Sequence, residues 1–205
     1  KDFLKGQLYE PLTHKFIHEY CGQFEGSIIH AGTFFGDMIP SFSRSVNGRV
    51  FAFEPVLENF ILAKLCIEEN NLTNVIIHNS ALSDNIDNLK INTVDKRGNH
   101  SGGGSAIDNT GLICPTMTID SLNLNDTVLI QLDVEGHEMF ALKGALETIS
   151  RCRPVVAIED NEEKCSKFMR GNQYTQVGRI PGLSIWAPVE NQVMQVFITK
   201  FLEAQ

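Results

Sequence analysis

The sequence predicts an α/β fold: a three-layer α/β/α sandwich whose main sheet is mostly parallel and has about seven strands. Short apolar runs alternate along the chain with longer segments in which apolar residues recur at helical spacing. Alternating strands and helices imply right-handed crossovers, and therefore one parallel sheet. Two further apolar runs near the C-terminus predict a closing antiparallel hairpin.

The first half of the chain predicts an amphipathic helix followed by three strands separated by helices. Pro40 falls in the first turn of a helix, where its missing N–H does no harm. Pro55 ends the second strand, and Asn70 ends the helix that follows. The predicted elements are a helix at 8–21, a strand at 27–31, a helix at 37–46, a strand at 49–54, a helix at 58–69 and a strand at 74–78.

The second half begins with a less apolar section. Residues 89–94 alternate apolar and polar side chains, which predicts a half-exposed strand at an edge of the main sheet. Residues 96–109 include four glycines and predict an exposed mobile loop. The remaining predicted elements are a strand at Thr127–Leu132, a helix at 137–150, a strand at 154–159, a short helix at 161–169 and hairpin strands at 183–187 and 192–199.

Composition limits the classes of function. The chain has 205 residues, 42% apolar and 20% charged, which is typical of one globular domain. A net charge of −8 argues against a nucleic-acid partner, because phosphate binding needs a basic face. No apolar run is long enough to span a membrane, and the first ten residues lack the apolar core of a signal peptide. Five cysteines without a C-x-x-C pair indicate reduced thiols, so we expect a cytoplasmic protein that handles small molecules.

Polar residues at the ends of the predicted strands mark the candidate site, since open parallel sheets bind ligands beyond the carboxyl ends of their strands. Gly32 and Gly36 flank the turn after the first strand, and Glu54 ends the second strand 22 residues after Gly32. An acid at that place can accept hydrogen bonds from both ribose hydroxyls. The glycine pair alone is equally typical of a structural turn, but glycines and acid together favour a nucleotide site.

Two further strand ends carry polar residues. Residues 79–84 follow the third strand and suit the edge of an adenine, although alone they are typical of a turn. Asp133 and Glu135 follow the strand at Thr127–Leu132, and Gly136 begins the next helix. Acids at a helix start are often caps, but capping needs only one acid. The second acid favours chemistry at this edge of the sheet.

On these residues the chain resembles the FkbM family of S-adenosylmethionine (SAM)-dependent methyltransferases, which have a class I Rossmann-like fold. The shared motifs run in the family's order over about residues 27–160. The most specific are Asp133-Val134-Glu135-Gly136-His137-Glu138 and the downstream Leu142-Lys143-Gly144-Ala145. The others are residues 32–36, 49–55, 79–84 and 118–122, and Arg153-Pro154 followed by Glu159.

The resemblance implies SAM as the cofactor and a role for each matching position. The glycine turn would line the methionine group, Glu54 would hold the ribose hydroxyls, and Asp133 and Glu135 would lie near the transferred methyl. The residues implied to bind the cofactor are His30, Gly32, Thr33, Phe34, Phe35, Gly36, Glu54, Pro55, Ser80, Ala81 and Asp133. We accordingly divide a single domain, 1–205, into an N-terminal helical extension at 1–24, a cofactor-binding core at 27–160 and a C-terminal helix and hairpin at 161–205.

His30 departs from the family pattern, which normally has an acid at this position to stabilise the glycine turn or the cofactor's ammonium group. A neutral imidazole can still form a hydrogen bond, whereas an imidazolium would repel the ammonium. The substitution bears on cofactor affinity and does not by itself abolish the site.

Family members typically methylate hydroxyl oxygens of sugars, polyketides and other small metabolites, so the resemblance implies a small-molecule O-methyltransferase. Because a hydroxyl acceptor must lose a proton, we expect Asp133 or Glu135 to act as general base, with His137 as a third candidate. The glycine-rich residues 98–104 are a candidate lid over the acceptor. Because Asp133 and Glu135 already have a simpler role as general base, the sequence predicts no metal site.

Three other functions stay open at this point. His30 favours a degenerate domain that binds a ligand or partner without catalysis. A nicotinamide-dependent oxidoreductase would need a pyrophosphate loop, and Gly32-x-x-x-Gly36 lacks the G-x-G-x-x-G pattern. A nucleic-acid methyltransferase is disfavoured by charge, with only the small basic pair Lys96-Arg97 in its favour.

Overall fold

Seven strands form the main sheet, and a second, smaller sheet lies beside it. The computed structural model of the protein describes residues 9–94, 97–108, 110–159 and 164–205. The strands are β1 (Ser27–Ala31), β2 (Val50–Phe53), β3 (Val75–His78), β4 (Ala81–Leu82), β5 (Asn88–Asn92), β6 (Ala106–Ile107), β7 (Leu112–Met117), β8 (Thr127–Leu132), β9 (Val155–Ile158), β10 (Tyr174–Ile180) and β11 (Leu183–Pro188). The helices are α1 (Pro11–Gln23), α2 (Ile39–Ser45), α3 (Leu57–Glu69), α4 (Glu138–Lys143), α5 (Leu146–Cys152), α6 (Ser166–Gly171) and α7 (Gln192–Glu203).

The main sheet has the strand order β10-β11-β9-β8-β1-β2-β3. The five strands from β9 to β3 pair in parallel, whereas β11 runs antiparallel to β9 and forms a hairpin with β10. The chain order reverses at β1, which has β2 on one side and β8 on the other. This arrangement confirms the predicted mostly parallel seven-stranded sheet and its C-terminal hairpin, and it creates a switch point beside β1.

Two apolar layers cover the main sheet. Ile28 of β1 packs with residues of α1, α2, α3 and α7 on one face, and Ile29 packs with residues of α4, α5 and α6 on the other. All five residues of β1 are buried, as expected for a parallel strand covered on both faces. The predicted three-layer sandwich is therefore confirmed.

The segment predicted as an edge strand at 89–94 does not extend the main sheet. It forms β5 of the second sheet, whose order is β4-β7-β5-β6. Strand β5 pairs in antiparallel fashion with β6 on one side and β7 on the other. Strand β6 belongs to the glycine-rich segment, and β7 follows that segment. That segment was expected to be an exposed loop, yet Gly102–Gly104 forms a 3₁₀ turn and Ala106–Ile107 a strand. Lys96 and Asn109 lie outside the described residues.

The helix predicted at 137–150 is two helices, α4 and α5. A Cβ on Gly144 would overlap the carbonyl oxygen of Ser83, so the chain passes that backbone closely at the break. The Asp120 carboxylate then accepts hydrogen bonds from the N–H groups of Glu147 and Thr148, at 3.0 and 2.7 Å. These bonds start α5 as a separate helix, because they satisfy N–H groups of its first turn.

The strand predicted at 192–199 is wrong, because these residues form α7. Its buried side chains Met194, Ile198 and Phe201 recur at helical spacing, and the side chain of Asn191 caps its start by accepting a hydrogen bond from the Met194 N–H at 3.1 Å. The hairpin partner of β11 is instead β10, joined through a turn at Gly182, whose φ is 83°. The short helix predicted at 161–169 is found as α6; residues 161–163 lie outside the described part.

None of the five cysteines, all of which lie in the described part of the chain, is joined in a disulfide. In the described part of the chain, no helix is both long and apolar enough to cross a bilayer.

Candidate active site

Two adjoining cavities lie beyond the carboxyl ends of β1, β2 and β8, at the switch point of the main sheet. The narrow cavity has a volume of about 40 Å³ and extends from Gly32 past Glu54 to the second sheet. The wide cavity has a volume of about 450 Å³ and extends from Gly32 to the start of α2 and to Tyr9. Both are lined by Gly32, Gly103, Asp133 and Glu135, so these four residues form the boundary between them.

The structure brings most of the sequence-predicted site residues together around these cavities. Those that line the narrow cavity are Gly32, Glu54, Pro55, Ser80, Ala81, Asp133 and Glu135. Those that line the wide cavity are Gly32, Phe34, Phe35, Asp133 and Glu135. His30, Thr33 and Gly36 line neither cavity, and their contacts lie behind the glycine turn.

The glycine turn is shaped by close packing. Gly32 has a φ of 85°, and a Cβ there would overlap the carbonyl oxygen of Asp133. Gly36 has a φ of 88°, and its Cβ would lie 2.9 Å from the Cα of Ala63 in α3. Both positions therefore require glycine. Thr33 points inward, where its hydroxyl donates to the carbonyl of His30 at 3.3 Å.

Glu54 holds this turn from the end of β2. Its Oε2 accepts a hydrogen bond from the Phe34 N–H at 2.8 Å, and its Oε1 accepts from the Val56 N–H at 2.9 Å and from the Asn59 amide at 3.4 Å. Burial raises the pKa of Glu54 to about 7 against the opposing effect of these hydrogen bonds. Three of the roughly four lone-pair sites of the carboxylate are then used, and one is left for a ribose hydroxyl at the narrow cavity, which Glu54 lines.

Three carboxyl groups converge at the ends of β8 and β9. The carboxylate oxygens of Asp133, Glu135 and Glu159 lie within 4.8 Å of one another. Burial and the neighbouring Glu159 raise the pKa of Asp133 well above its usual range, and burial raises that of Glu135 in the same direction. This cluster stabilises a proton or a positive charge at the boundary between the cavities.

Glu138, rather than either predicted acid, holds the turn that precedes α4. Its Oε1 accepts hydrogen bonds from the N–H groups of Val134 and Gly136, at 3.2 and 3.1 Å. Glu135 sits in this turn with a φ of 52°, which is unusual for a residue with a side chain. Since Glu138 holds the turn, the carboxyl groups of Asp133 and Glu135 remain available at the cavities.

The far end of the narrow cavity carries a buried hydroxyl without a partner. Ser80 is buried, and its Oγ has no hydrogen-bond partner among the described residues. A buried hydroxyl in this state can be satisfied by a ligand or by an ordered water. His137 also lines this end, with its Nε2 3.1 Å from Ser83 Oγ and its ring stacked on Phe140. This contact places His137 on the side of the predicted adenine rather than beside the wide cavity.

The glycine-rich turn of the second sheet covers both cavities. Gly102 and Gly103 lie against the ring of Phe34, so that a Cβ at either would come within 3.6–3.8 Å of it. Ile91 and Ile107 close the narrow cavity from the same side. Residues 102–104 of the segment predicted as a lid thus line the two cavities, and the lid role itself stays a prediction.

Sequence reasoning missed several lining residues. Gln131 of β8 and Tyr9, Asp37 and Met38 line the wide cavity, and Asn59 lines the narrow one. One signal for Gln131 was present: it precedes Asp133 by two residues, as His30 precedes Gly32. Polar residues at matching places in two neighbouring apolar strands predict a contact between them.

A parallel seven-stranded sheet with one reversed strand and a cavity beyond its switch point is the architecture of Rossmann-like methyltransferases. The FkbM methyltransferase of Methylobacillus flagellatus has a TM-score of 0.59 at 16% identity; the match covers 80% of this chain and 43% of that one. An rRNA methylase of Streptococcus thermophilus has a TM-score of 0.54 at 12% identity, covering 90% and 99%. A Streptococcus mutans protein in complex with S-adenosylhomocysteine (SAH) has a TM-score of 0.51 at 13% identity, covering 86% and 95%. At these identities the likeness shows the fold.

The family follows from the sequence of the core. Residues 30–180 match the FkbM methyltransferase domain, and the chain belongs to this methyltransferase family. This membership confirms the resemblance and the expectation of SAM as the cofactor. No curated protein matches the chain. The chain spans less than half the length of the Methylobacillus flagellatus protein.

Proposed function

We propose that this protein transfers the methyl group of SAM to a hydroxyl oxygen of a small molecule, such as a sugar or a polyketide. The observation that carries this proposal is that Asp133 and Glu135 line both cavities. With the adenosine of the cofactor in the narrow cavity, its sulfonium would lie at these two carboxyl groups, and the wide cavity would hold both its methionine end and the acceptor. Within this proposal, residues 27–160 are the cofactor-binding core of a single domain.

The residues around the narrow cavity fit the cofactor. Glu54 would accept the ribose hydroxyls, Pro55 and Ala81 would line the adenosine, and the unpartnered Oγ of Ser80 would bond the adenine edge. A volume of about 40 Å³ is far below the roughly 300 Å³ of a typical small-molecule site. The turn at Gly102–Gly104 must therefore move outward to admit the adenosine and then close over it.

SAM supplies an electrophilic methyl group, whose bond to sulfur breaks as its bond to the acceptor oxygen forms. Alignment of the acceptor oxygen, the methyl group and the sulfur contributes most of the rate acceleration of methyl transfer. The walls of the two cavities would provide this alignment. Asp133 would take the proton of the acceptor hydroxyl onto its carboxylate, with Glu135 as the second candidate. The nearby sulfonium charge would lower the pKa of Asp133 and so make its carboxylate available as the base.

The charge of the wide cavity supports a small neutral or cationic acceptor. Asp37, Asp133 and Glu135 line it, and none of its described lining residues is Lys or Arg. A phosphate backbone would meet only like charge there, which argues against a nucleic acid as acceptor. Phe34, Phe35 and Met38 supply an apolar wall that suits the carbon skeleton of a sugar or polyketide. The cytoplasmic location stays a prediction.

The experiment is transfer of labelled methyl from SAM to a panel of hydroxylated small molecules, with RNA as a separate acceptor. We expect label in at least one neutral or amine-bearing acceptor and none in RNA. Asp133→Asn combined with Glu135→Gln should reduce turnover by at least 100-fold while SAH binding persists. Unchanged turnover in this double variant would overturn the assignment of the base.

A degenerate, non-catalytic domain is the second candidate, favoured by His30 where the family has an acid. Calorimetry with SAM separates the two functions. Binding at micromolar to submillimolar cofactor is expected for the enzyme, whereas no binding at millimolar SAM would favour the degenerate domain.

A further inference from the structure

His30 and Gln131 form a buried pair behind the wide cavity. They are direct neighbours in the register of the parallel strands β1 and β8. The Nδ1 of His30 is hydrogen-bonded to the Oε1 of Gln131. The imidazole is only 1% exposed and lies edge-on to the ring of Phe42, with 4.8 Å between ring centroids. His30 therefore faces Gln131 and the core rather than the cofactor site.

The contact with the Gln131 oxygen sets the tautomer of the neutral His30 ring. Burial lowers the pKa of His30 to about 4, so the ring is neutral at physiological pH. Because Oε1 can only accept, the Nδ1 of the neutral ring must carry the hydrogen and donate it. The Gln131 amide is thereby fixed with its oxygen toward β1. Its NH₂ group, with two donors, is left for the wide cavity, which Gln131 lines.

The wide cavity needs such a donor if it holds the amino-acid end of SAM. With adenosine in the narrow cavity, the methionine group, which carries both an ammonium and a carboxylate, would extend past Gly32 at the boundary of the two cavities. Asp37, Asp133 and Glu135 suit the ammonium but repel the carboxylate. Among the described side chains that line this cavity, the hydrogen-bond donors that are not acids are the Gln131 amide and the Tyr9 hydroxyl.

We propose that the Gln131 amide binds the carboxylate of the cofactor's methionine group and that His30 is the positioning residue that aims it. This inference rests on the proposed function, since it assigns the amino-acid end of the same cofactor. It also assigns a role to His30, which stands where the family normally has an acid. A buried neutral pair needs no counter-charge, and it delivers a donor to a cavity whose described charged lining residues are all acids.

The test compares two ligands that differ only at the amino-acid end. SAH carries the amino acid, and 5′-methylthioadenosine has the same adenosine and thioether without it. Calorimetry should show that Gln131→Met weakens the binding of SAH by about 10- to 100-fold, which is the usual effect of losing a hydrogen bond to a charged group. The affinity for 5′-methylthioadenosine should stay within about threefold of the wild-type value. Equal loss for both ligands, or no loss for SAH, would overturn the role of Gln131.

Substitutions of His30 test the positioning role. His30→Asn keeps a donor at the δ position and should hold SAH affinity within about threefold, whereas His30→Leu should weaken SAH selectively by about tenfold. In the Gln131→Met background, His30→Leu should have no further effect on the ratio of the two affinities. A ratio that changes additively in the double variant would overturn the positioning role.

His78→Leu is the matched control. Like His30, His78 is a strand histidine whose buried Nε2 lacks a partner in the described chain. Its ring, however, stacks on Phe53 at the narrow cavity. Its substitution should alter both affinities alike and leave their ratio unchanged. If the wild-type protein bound neither ligand, the proposed function would fall together with this inference. If it bound both and only the ratio were insensitive to Gln131, this inference alone would fall.

Discussion

The Glu54 carboxylate accepts a hydrogen bond from the Phe34 N–H at 2.8 Å, which joins the end of β2 to the turn after β1. Phe34 has a φ of 51°, a conformation that costs about 1–2 kcal/mol for a residue with a side chain. The hydrogen bond from its N–H to a charged acceptor offsets such a cost. One carboxylate thus both shapes the turn and faces the cavity proposed for the ribose.

This double role predicts that adenosine binding depends on pH. Burial raises the pKa of Glu54 to about 7, and a protonated carboxyl group accepts ribose hydroxyls less well. The affinity for 5′-methylthioadenosine should therefore fall about tenfold as the pH is lowered from 8 to 6, with the loss below pH 7. Calorimetry across this range measures it. Glu54→Gln should bind weakly at all pH values, and a slope that persists in this variant would contradict the assignment.

The acid cluster predicts a gain in stability when its half-buried member Asp133 is neutralised. The pKa of Asp133 is raised in the folded protein, so the folded state holds a proton that the unfolded chain releases at lower pH. The stability from this proton is present at acidic pH and is lost as the pH rises toward the folded pKa. Asp133→Asn should raise the free energy of unfolding by about 1–2 kcal/mol at pH 8 and by little at pH 4.

Urea unfolding at the two pH values measures this effect. Glu135→Gln is the matched control, because Glu135 belongs to the same cluster but is exposed. Its gain at pH 8 should be less than half that of Asp133→Asn. An equal gain in both variants would mean that overall net charge, rather than burial of Asp133, sets the effect.

Binding of a sulfonium should expel the proton that the cluster holds. SAM carries a positive charge on sulfur and SAH does not, so SAM should lower the pKa of Asp133 more. At pH 8, SAM binding should release up to about one proton more than SAH binding, measured as the dependence of the binding enthalpy on the ionisation enthalpy of the buffer. The difference should vanish in Asp133→Asn. Equal proton release by the two ligands in the wild type would place the sulfur away from this cluster.

The sequence predicted the strand-end residues well because their positions depend on local signals. An acid directly after an apolar strand, such as Glu54 or Asp133, lies at the carboxyl edge of the sheet in any parallel arrangement. Gly32 could be predicted in the same way, since it ends the first strand. These local signals suffice for the strand-end residues of the narrow cavity, but not for Asn59 or for Ile91 and Ile107 of the second sheet.

The wide cavity could not be predicted, because it depends on pairing between distant segments. Gln131 lies in a buried apolar strand, and its importance follows only from its register with His30. Tyr9 reaches the site from the residues before α1, which no local pattern places there. The error at 192–199 has a related cause. Valine, isoleucine and phenylalanine favour strands in isolation, and burial of Met194, Ile198 and Phe201 on one helix face overrides this preference.

The turn at Gly102–Gly104 should become protected when adenosine binds. The narrow cavity is too small for an adenosine until this turn moves, and binding should then close the turn over the ligand. Amide hydrogen exchange at residues 101–107 should slow by at least fivefold in the presence of SAH. Exchange in α7, remote from the cavities, serves as the internal control and should not change. Unchanged exchange at 101–107 with bound SAH would mean that the turn is not a lid.

Gly36 and Gly136 separate the cost of close packing from that of backbone conformation. Both have a φ near 90°, at 88° and 90°, but a Cβ on Gly36 would lie 2.9 Å from the Cα of Ala63, whereas a Cβ on Gly136 meets nothing within 4 Å. Gly136→Ala should therefore lower the free energy of unfolding by the conformational cost alone, about 1–2 kcal/mol. Gly36→Ala should lower it by about 2–5 kcal/mol, because overpacking against α3 adds about 1–3 kcal/mol.

Urea unfolding of the two variants at one pH gives the difference directly, and Gly22→Ala completes the series. Gly22 lies in α1 without a positive φ, and a Cβ there meets nothing within 4 Å, so alanine should stabilise the protein by about 0.5–1 kcal/mol. A loss in Gly36→Ala no larger than that in Gly136→Ala would show that α3 yields to the added methyl group. In that case Gly36 would be required for its positive φ and not for the close approach of α3.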